Sequence, residues 1–276
     1  MLKNKKFIID GNLPIVGDLT FNSSDCLAPL VIFCHGYKGY KDWGCWNLVA
    51  KKFAENGIKF LKFNFSHNGG TVEQPIDFPD LEAFSKNNYS IELNDIGRVI
   101  NYLQENKNSD FQFNKISIIG HSRGGGIACL AAGLHKQIEN LVTWASVADF
   151  SKRFPDDDEL EIWKINGVRY VENKRTKQMM PHLYQFYLDF LNNKKKLDIK
   201  SALNSYKGNV LVCHGTLDQA VNVENAENIS NWANKGSLFK LRANHTFGAK
   251  HPWDTTDLPE ALNDVCDKTI RFLTKE

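Results

Sequence analysis

The sequence predicts an α/β protein, with a mostly parallel central sheet and helices on both of its faces. Two observations carry this. Short apolar runs of strand length recur along the chain, and stretches with helical spacing separate them, the alternation expected of a parallel sheet. The 276 residues are 42% hydrophobic and 24% charged, which suits one large soluble domain or one domain with an insertion.

Lys6 to Asp18 reads as one or two short antiparallel strands at a sheet edge. Leu30–Cys34 is a strand, Trp46–Asn56 a helix and Ile58–Phe65 the next strand. Over Ser90–Gln104 the apolar residues Ile91, Ile96, Val99, Ile100 and Leu103 repeat at helical spacing. Ile116–Ile119 is a strand, Ser122–Leu134 a helix and Leu141–Ala145 the sixth strand. Asn209–Cys213 reads as a buried strand, followed by a helix over about Val223 to Ala233 and a strand over Ser237–Leu241.

The alternation breaks between Ser146 and Tyr206. Roughly sixty residues separate two clear strands there, where a plain crossover needs only about a dozen. Charge clusters at Asp156–Glu159 and Lys194–Lys196, while Leu183, Phe186, Tyr187, Phe190 and Leu191 share one helical face. Residues 146–206 are expected to form a lid inserted after the sixth strand of a single 1–276 domain. They are too few and too charged to own a large core.

The chemistry concentrates at Gly120-His121-Ser122-Arg123-Gly124, where a β-branched run meets a helix start. Gly-x-Ser-x-Gly in that setting is the layout of a nucleophile elbow: a sharp turn strains the serine and needs small neighbours two residues to either side. An acid and a histidine then follow in the order such a serine requires. Asp218 ends His214-Gly215-Thr216-Leu217-Asp218 after one strand, and His245 lies in Ala243-Asn244-His245 after the next. All three fall at the carboxyl ends of strands, where sites on such sheets gather. His245 is the candidate base, with His251 as its rival; Asp149 and Asp189 come too early to be the acid. His35-Gly36-Tyr37, turning away from the Leu30–Cys34 strand, can aim the Tyr37 N–H at a developing oxyanion, with the Arg123 N–H as second donor.

On His35-Gly36-Tyr37, Gly120-His121-Ser122-Arg123-Gly124-Gly125, His214-Gly215-Thr216-Leu217-Asp218 and Asn244-His245-Thr246-Phe247, the chain resembles an α/β-hydrolase from about Leu30 to Leu273. It is most similar to the group around dienelactone hydrolases, feruloyl (cinnamoyl) esterases and the catalytic domains of prolyl oligopeptidases. Dienelactone hydrolases carry a cysteine nucleophile, so Ser122 is a departure from that branch. The resemblance implies the α/β-hydrolase fold and a cofactor-independent serine hydrolase, a carboxylesterase acting on a small-molecule ester through an acyl-enzyme. A serine aminopeptidase or amidase of the prolyl-oligopeptidase type and a hydrolase-like binding protein are the alternatives.

The remaining signals are plainer. A net charge of +2, with no basic block interleaved with aromatics, gives no reason to expect a nucleic-acid partner. No stretch approaches the roughly 20 apolar residues of a membrane helix, and the N-terminal apolar run is too short for a signal-peptide core. The cysteines at 26, 34, 45, 129, 213 and 266 lack Cys-x-x-Cys spacing and read as reduced packing residues of a cytoplasmic protein, and the histidines lack zinc-ligand spacing. His121 is expected beneath the elbow, Asp42 as a helix N-cap, Ser66–Gly70 on the pocket rim and the Arg123 side chain in a structural ion pair. Phe186, Tyr187, Tyr184, Trp163 and Tyr170 read mainly as residues packing the lid onto the body.

Overall fold

The computed structural model describes residues 1–23 and 27–275; Cys26 lies outside the described residues. Eight strands form one sheet: β1 (Leu2–Ile9), β2 (Ile15–Asn22), β3 (Leu30–Cys34), β4 (Lys59–Phe63), β5 (Ile116–His121), β6 (Ile138–Trp144), β9 (Asn209–Gly215) and β10 (Gly236–Leu241). Their order is β1-β2-β4-β3-β5-β6-β9-β10. β1 pairs with β2 and β2 with β4 in antiparallel fashion; every other pair in this sheet is parallel. The expected edge hairpin is therefore present, with two full strands of eight residues.

The central strands are covered on both faces, and β3 is apolar along its whole length. Along β3, Leu30, Ile32 and Cys34 enter one core while Val31 and Phe33 enter the other; Val210 and Val212 of β9 oppose Leu211 and Cys213 in the same way. α1 (Trp46–Glu55) and α9 (Glu260–Leu273) cover one face. α3 (Tyr89–Glu105), α4 (Arg123–Leu134), α7 (Ile199–Ser205) and α8 (Glu224–Trp232) cover the other. The five described cysteines are free and buried in these cores.

Between β6 and β9 the chain leaves the main sheet. It forms α5 (Asp157–Asn166), an antiparallel hairpin of β7 (Val168–Glu172) and β8 (Met179–Leu183), α6 (Gln185–Asn192) and then α7. A short helix α2 (Leu81–Ser85) precedes α3, its Phe84 packed in a small aromatic cluster with Tyr40, Phe78 and Met180 of β8. This third cluster ties the hairpin to the body on the side of the loop after β3.

Asp42 departs from expectation. The residue at the N-cap of α1 is Cys45, without a side-chain cap bond. Asp42 instead joins Asp18 in holding Lys41 and Lys62, with Lys62 fully buried and salt-bridged at 2.7 Å to Asp18 and 2.5 Å to Asp42. Two buried ammonium groups need two carboxylates more than a helix start needs a cap, because an uncompensated buried charge costs several kcal/mol, about 3–5 when one partner of a pair is removed.

Candidate active site

Ser122 sits at the junction of β5 and α4 with φ 56° and ψ −120°. That backbone region is sparsely populated for a residue with a side chain, and holding it costs about 1–3 kcal/mol. The flanking glycines allow the turn to close. A Cβ on Gly124 would collide with the carbonyls of Cys34 and His35, and one on Gly120 with the backbone of Gly124 and Gly125. The serine N–H is tied to the Trp144 carbonyl at 2.9 Å, so β6 helps to fix the strained turn.

The turn brings Ser122 to the two partners named from the sequence. His245 Nε2 lies 2.9 Å from Ser122 Oγ, and His245 Nδ1 lies 2.7 Å from Asp218 Oδ2. An ionised carboxylate only accepts, so Nδ1–H donates to Asp218 and Nε2 is left to accept from the serine hydroxyl. Asp218 is itself held from several sides. Its Oδ1 accepts the N–H groups of Ala220 (2.8 Å) and Val221 (2.9 Å), and His214 Nε2 approaches Oδ2 at 3.3 Å. Burial opposes the charge on Asp218, but the hydrogen bonds from His214, His245 and Val221 outweigh it and hold the carboxyl well below the usual range.

The rival base lies elsewhere. His251 Nδ1 accepts the Gly44 N–H at 2.8 Å, and its ring packs on Trp43 and Tyr40. His121 packs beneath the elbow as expected, its Nε2–H directed to the His245 carbonyl at 3.0 Å and its ring against Trp46. Burial, then the nearby His245, lowers the His121 pKa to about 3.

Loop 35–37 passes directly over the elbow: a Cβ on Gly36 would come within 2.9 Å of Ser122 Cβ. The Tyr37 N–H makes no hydrogen bond among the described residues. The Arg123 N–H is one of the first-turn donors that a helix leaves unpaired. Both are therefore available near the serine. The Arg123 side chain turns inward, as the ion-pair reading expected, to Glu92 at 3.3 Å, with 15% and 5% of the two side chains exposed. Its guanidinium lies 4.2 Å from the Tyr37 ring centre and also faces Tyr89 and Phe186.

A cavity of about 410 Å³ opens beside Ser122 and His245, within the usual size of small-molecule sites. Segment 146–206 supplies much of its wall, including Phe154, Trp163, Arg169, His182 and Phe186. Of the five aromatics read as packing, Trp163 and Phe186 reach this cavity, Tyr184 and Tyr187 pack against the core, and Tyr170 is exposed. Ser66–Gly70 does not reach it. Ser66, Asn68 and Gly70 line a separate cavity with Leu13 and Val16, because the chain after β4 turns toward the edge hairpin rather than the elbow.

His182, Arg153, Arg169 and Tyr89 line the cavity without having been singled out by the sequence. His182 Nε2 lies 2.7 Å from the Tyr37 hydroxyl, and its carbonyl accepts the Trp163 indole N–H at 2.8 Å. Burial, then Arg123, Arg169 and Lys38, push its pKa down to about 3, so the ring beside the Tyr37 hydroxyl is neutral. No motif marks these residues: Arg153, Arg169 and His182 reach the cavity through the fold of segment 146–206, and Tyr89 from the start of α3. Among the described residues no group of three or more His, Cys, Asp or Glu side chains is arranged to hold a metal ion, and no helix is long and apolar enough to cross a membrane.

The family model described as BD-FAE matches residues 22–233. Est1E from Butyrivibrio proteoclasticus, solved with ferulic acid bound, superposes with a TM-score of 0.73 at 18% identity over 97% of each chain. A dienelactone hydrolase from Anabaena variabilis gives 0.65 at 16% identity over 99% of this chain and 97% of that one. The esterase domain of a Rhodothermus marinus protein gives 0.65 at 15% identity, over 98% and 97%. No curated protein sequence matches. At such identities the structural likeness establishes the α/β-hydrolase fold.

Proposed function

The chain belongs to the BD-FAE family, within the α/β-hydrolases, and from that premise we propose that it is a serine hydrolase cleaving carboxylic esters through an acyl-enzyme. The observation that carries the reading is the unbroken line from Asp218 through His245 to Ser122, ending on a strained serine beside two free N–H groups and an open cavity.

In this reading the His245 Nε2 takes the Ser122 hydroxyl proton as Oγ attacks the ester carbonyl. The carbonyl oxygen becomes an oxyanion facing the N–H groups of Tyr37 and Arg123, which are in place before the charge forms. Asp218 holds the imidazole tautomer and stabilises the imidazolium. His245 returns its proton to the departing alcohol, leaving the acyl group on Ser122. Water entering the same position loses a proton to His245, attacks the acyl-enzyme and releases the acid. Residues 146–206 act as the lid of one 1–276 domain, closing the cavity with Trp163 and Phe186. The aromatic lining, together with the likeness to a protein solved with ferulic acid, supports an aromatic acyl group among the substrates.

The test is hydrolysis of p-nitrophenyl esters from acetate to octanoate, with methyl ferulate and an aminoacyl p-nitroanilide alongside. Ester turnover that disappears in Ser122→Ala is expected. Turnover of the anilide alone moves the protein to the peptidases, and folded protein silent on every ester overturns the reading.

A further inference from the structure

The charge on the cavity wall is one-sided. Arg123, Arg153 and Arg169 all line it, and none of the described lining residues is an aspartate or glutamate. The three arginines differ in what they are free to do. Arg123 is committed to the buried Glu92 and to the rings of Tyr37, Tyr89 and Phe186.

Arg153 is solvent-exposed, donates only to the Ala220 carbonyl at 3.3 Å and forms no ion pair among the described residues. Arg169 pairs with Glu159 at 2.8 Å, but 36% and 56% of the two side chains are exposed. An exposed pair of this kind contributes little and exchanges partners readily. The two come from different elements of the 146–206 segment, Arg153 from the turn after β6 and Arg169 from β7, and converge on one cavity. Arg123, Arg169 and Lys38 also act on His182 in the same direction, each disfavouring its protonation.

Resting on the ester-hydrolase reading, we propose that Arg153 and Arg169 form a subsite for a carboxylate on the substrate, so that the preferred esters are anionic. A guanidinium presents a planar fork that matches a carboxylate. A low-dielectric cavity lined by one sign of charge also concentrates ligands of the other sign. Two solvent-accessible arginines and one buried, ion-paired arginine in the wall suit an ester with a carboxylate at one end and an aromatic or aliphatic body.

Paired esters test this. The p-nitrophenyl hydrogen glutarate and p-nitrophenyl pentanoate pair differs by a carboxylate on the acyl side; m-carboxyphenyl butyrate and phenyl butyrate differ on the alcohol side. In one pair at least, kcat/KM is expected to favour the anionic member by about tenfold, the size of one charge-assisted hydrogen bond. That preference shrinks with added salt and falls toward one in R153Q and R169Q, the anionic member losing far more than the neutral one. Equal or neutral-favouring rates in both pairs overturn the subsite, as does an equal loss of both members in the variants.

Calorimetry on Ser122→Ala, with and without R153Q, separates this from failure of the esterase reading. Salt-sensitive, R153Q-sensitive binding of the anionic member, with no ester turned over by the native protein, keeps the subsite and removes the esterase. Equal binding of both members removes the subsite whatever the turnover.

Discussion

At the scale of single residues, the site depends on groups held where their chemistry is costly. Ser122 keeps φ 56° because Gly120 and Gly124 give it room and Trp144 ties its N–H. Replacing Ser122 or His245 by alanine is expected to lower kcat by about 10⁶, and Asp218→Ala by about 10⁴, since the imidazole can still act once its holder is lost. Steady-state kinetics on the folded variants checks the ranking; an Asp218→Ala as inactive as Ser122→Ala contradicts the division of roles. The Arg123–Glu92 pair carries a second prediction. Both groups are buried, so Glu92→Ala leaves a guanidinium without a counter-charge and should cost about 3–5 kcal/mol. Urea unfolding measures that loss, and Glu92→Gln, which keeps an acceptor for Arg123, should lose less.

At the scale of elements, the loop after β3 and the β7–β8 hairpin are joined by the Lys38 ammonium on the Glu172 carbonyl at 3.3 Å and, nearer the elbow, by the Tyr37 hydroxyl–His182 Nε2 hydrogen bond at 2.7 Å. The backbone of that loop holds a proposed oxyanion donor, so the bond links the insertion to the chemistry. Tyr37→Phe is expected to lower kcat severalfold and leave KM nearly unchanged, because the N–H is placed less well for the transition state while the cavity wall is kept. A change in KM alone contradicts it. How far each element could be read from the chain follows from what encodes it. The runs at Leu30–Cys34, Ile116–Ile119 and Asn209–Cys213 are buried on both faces and announce themselves, and α3 shows its spacing at Ile96, Val99, Ile100 and Leu103. Asp218 and His245 were legible because strand order alone carries them to the serine. The hairpin was not: its Met179-Met180-Pro181-His182-Leu183 strand lies outside the main sheet and is only partly buried. With it went His182 and Arg169, whose importance comes from the cavity and from no pattern in the chain. Asp42 was misread for a related reason, since a nearby helix start suggests a cap and nothing local reveals two buried lysines.

At the scale of the whole molecule, three buried histidines make folding sensitive to acid. His35 is lowered to about 4, and His121 and His182 to about 3, burial being the largest cause in each. The partners of His35 suit the neutral ring. His35 Nδ1 donates to the Gly36 carbonyl while Nε2 accepts the Phe65 N–H. A second proton would break one of these bonds and place a charge in a dry interior. In the unfolded chain the same histidines bind protons near pH 6.5. Between that value and about 4, therefore, the unfolded state holds protons that the native state refuses, and stability falls as pH falls. The contribution is fully present above the ordinary histidine range and is lost progressively below it, on the order of 1–2 kcal/mol for each histidine by pH 5. For a chain of this size that corresponds to a Tm lower by roughly 10 °C at pH 5 than at pH 7.5. Asp218 adds nothing in this window, because its carboxyl is held below the usual range and its own loss comes at lower pH. Thermal unfolding across pH 4.5–8 tests the account. The decisive variant is His35→Gln, whose amide can still donate to one side and accept from the other without titrating. It should reduce the slope between pH 5 and 6.5 by about a third, the share of one of three histidines, even if it lowers Tm throughout. A slope unchanged in that variant would remove His35 from the account of the acid sensitivity.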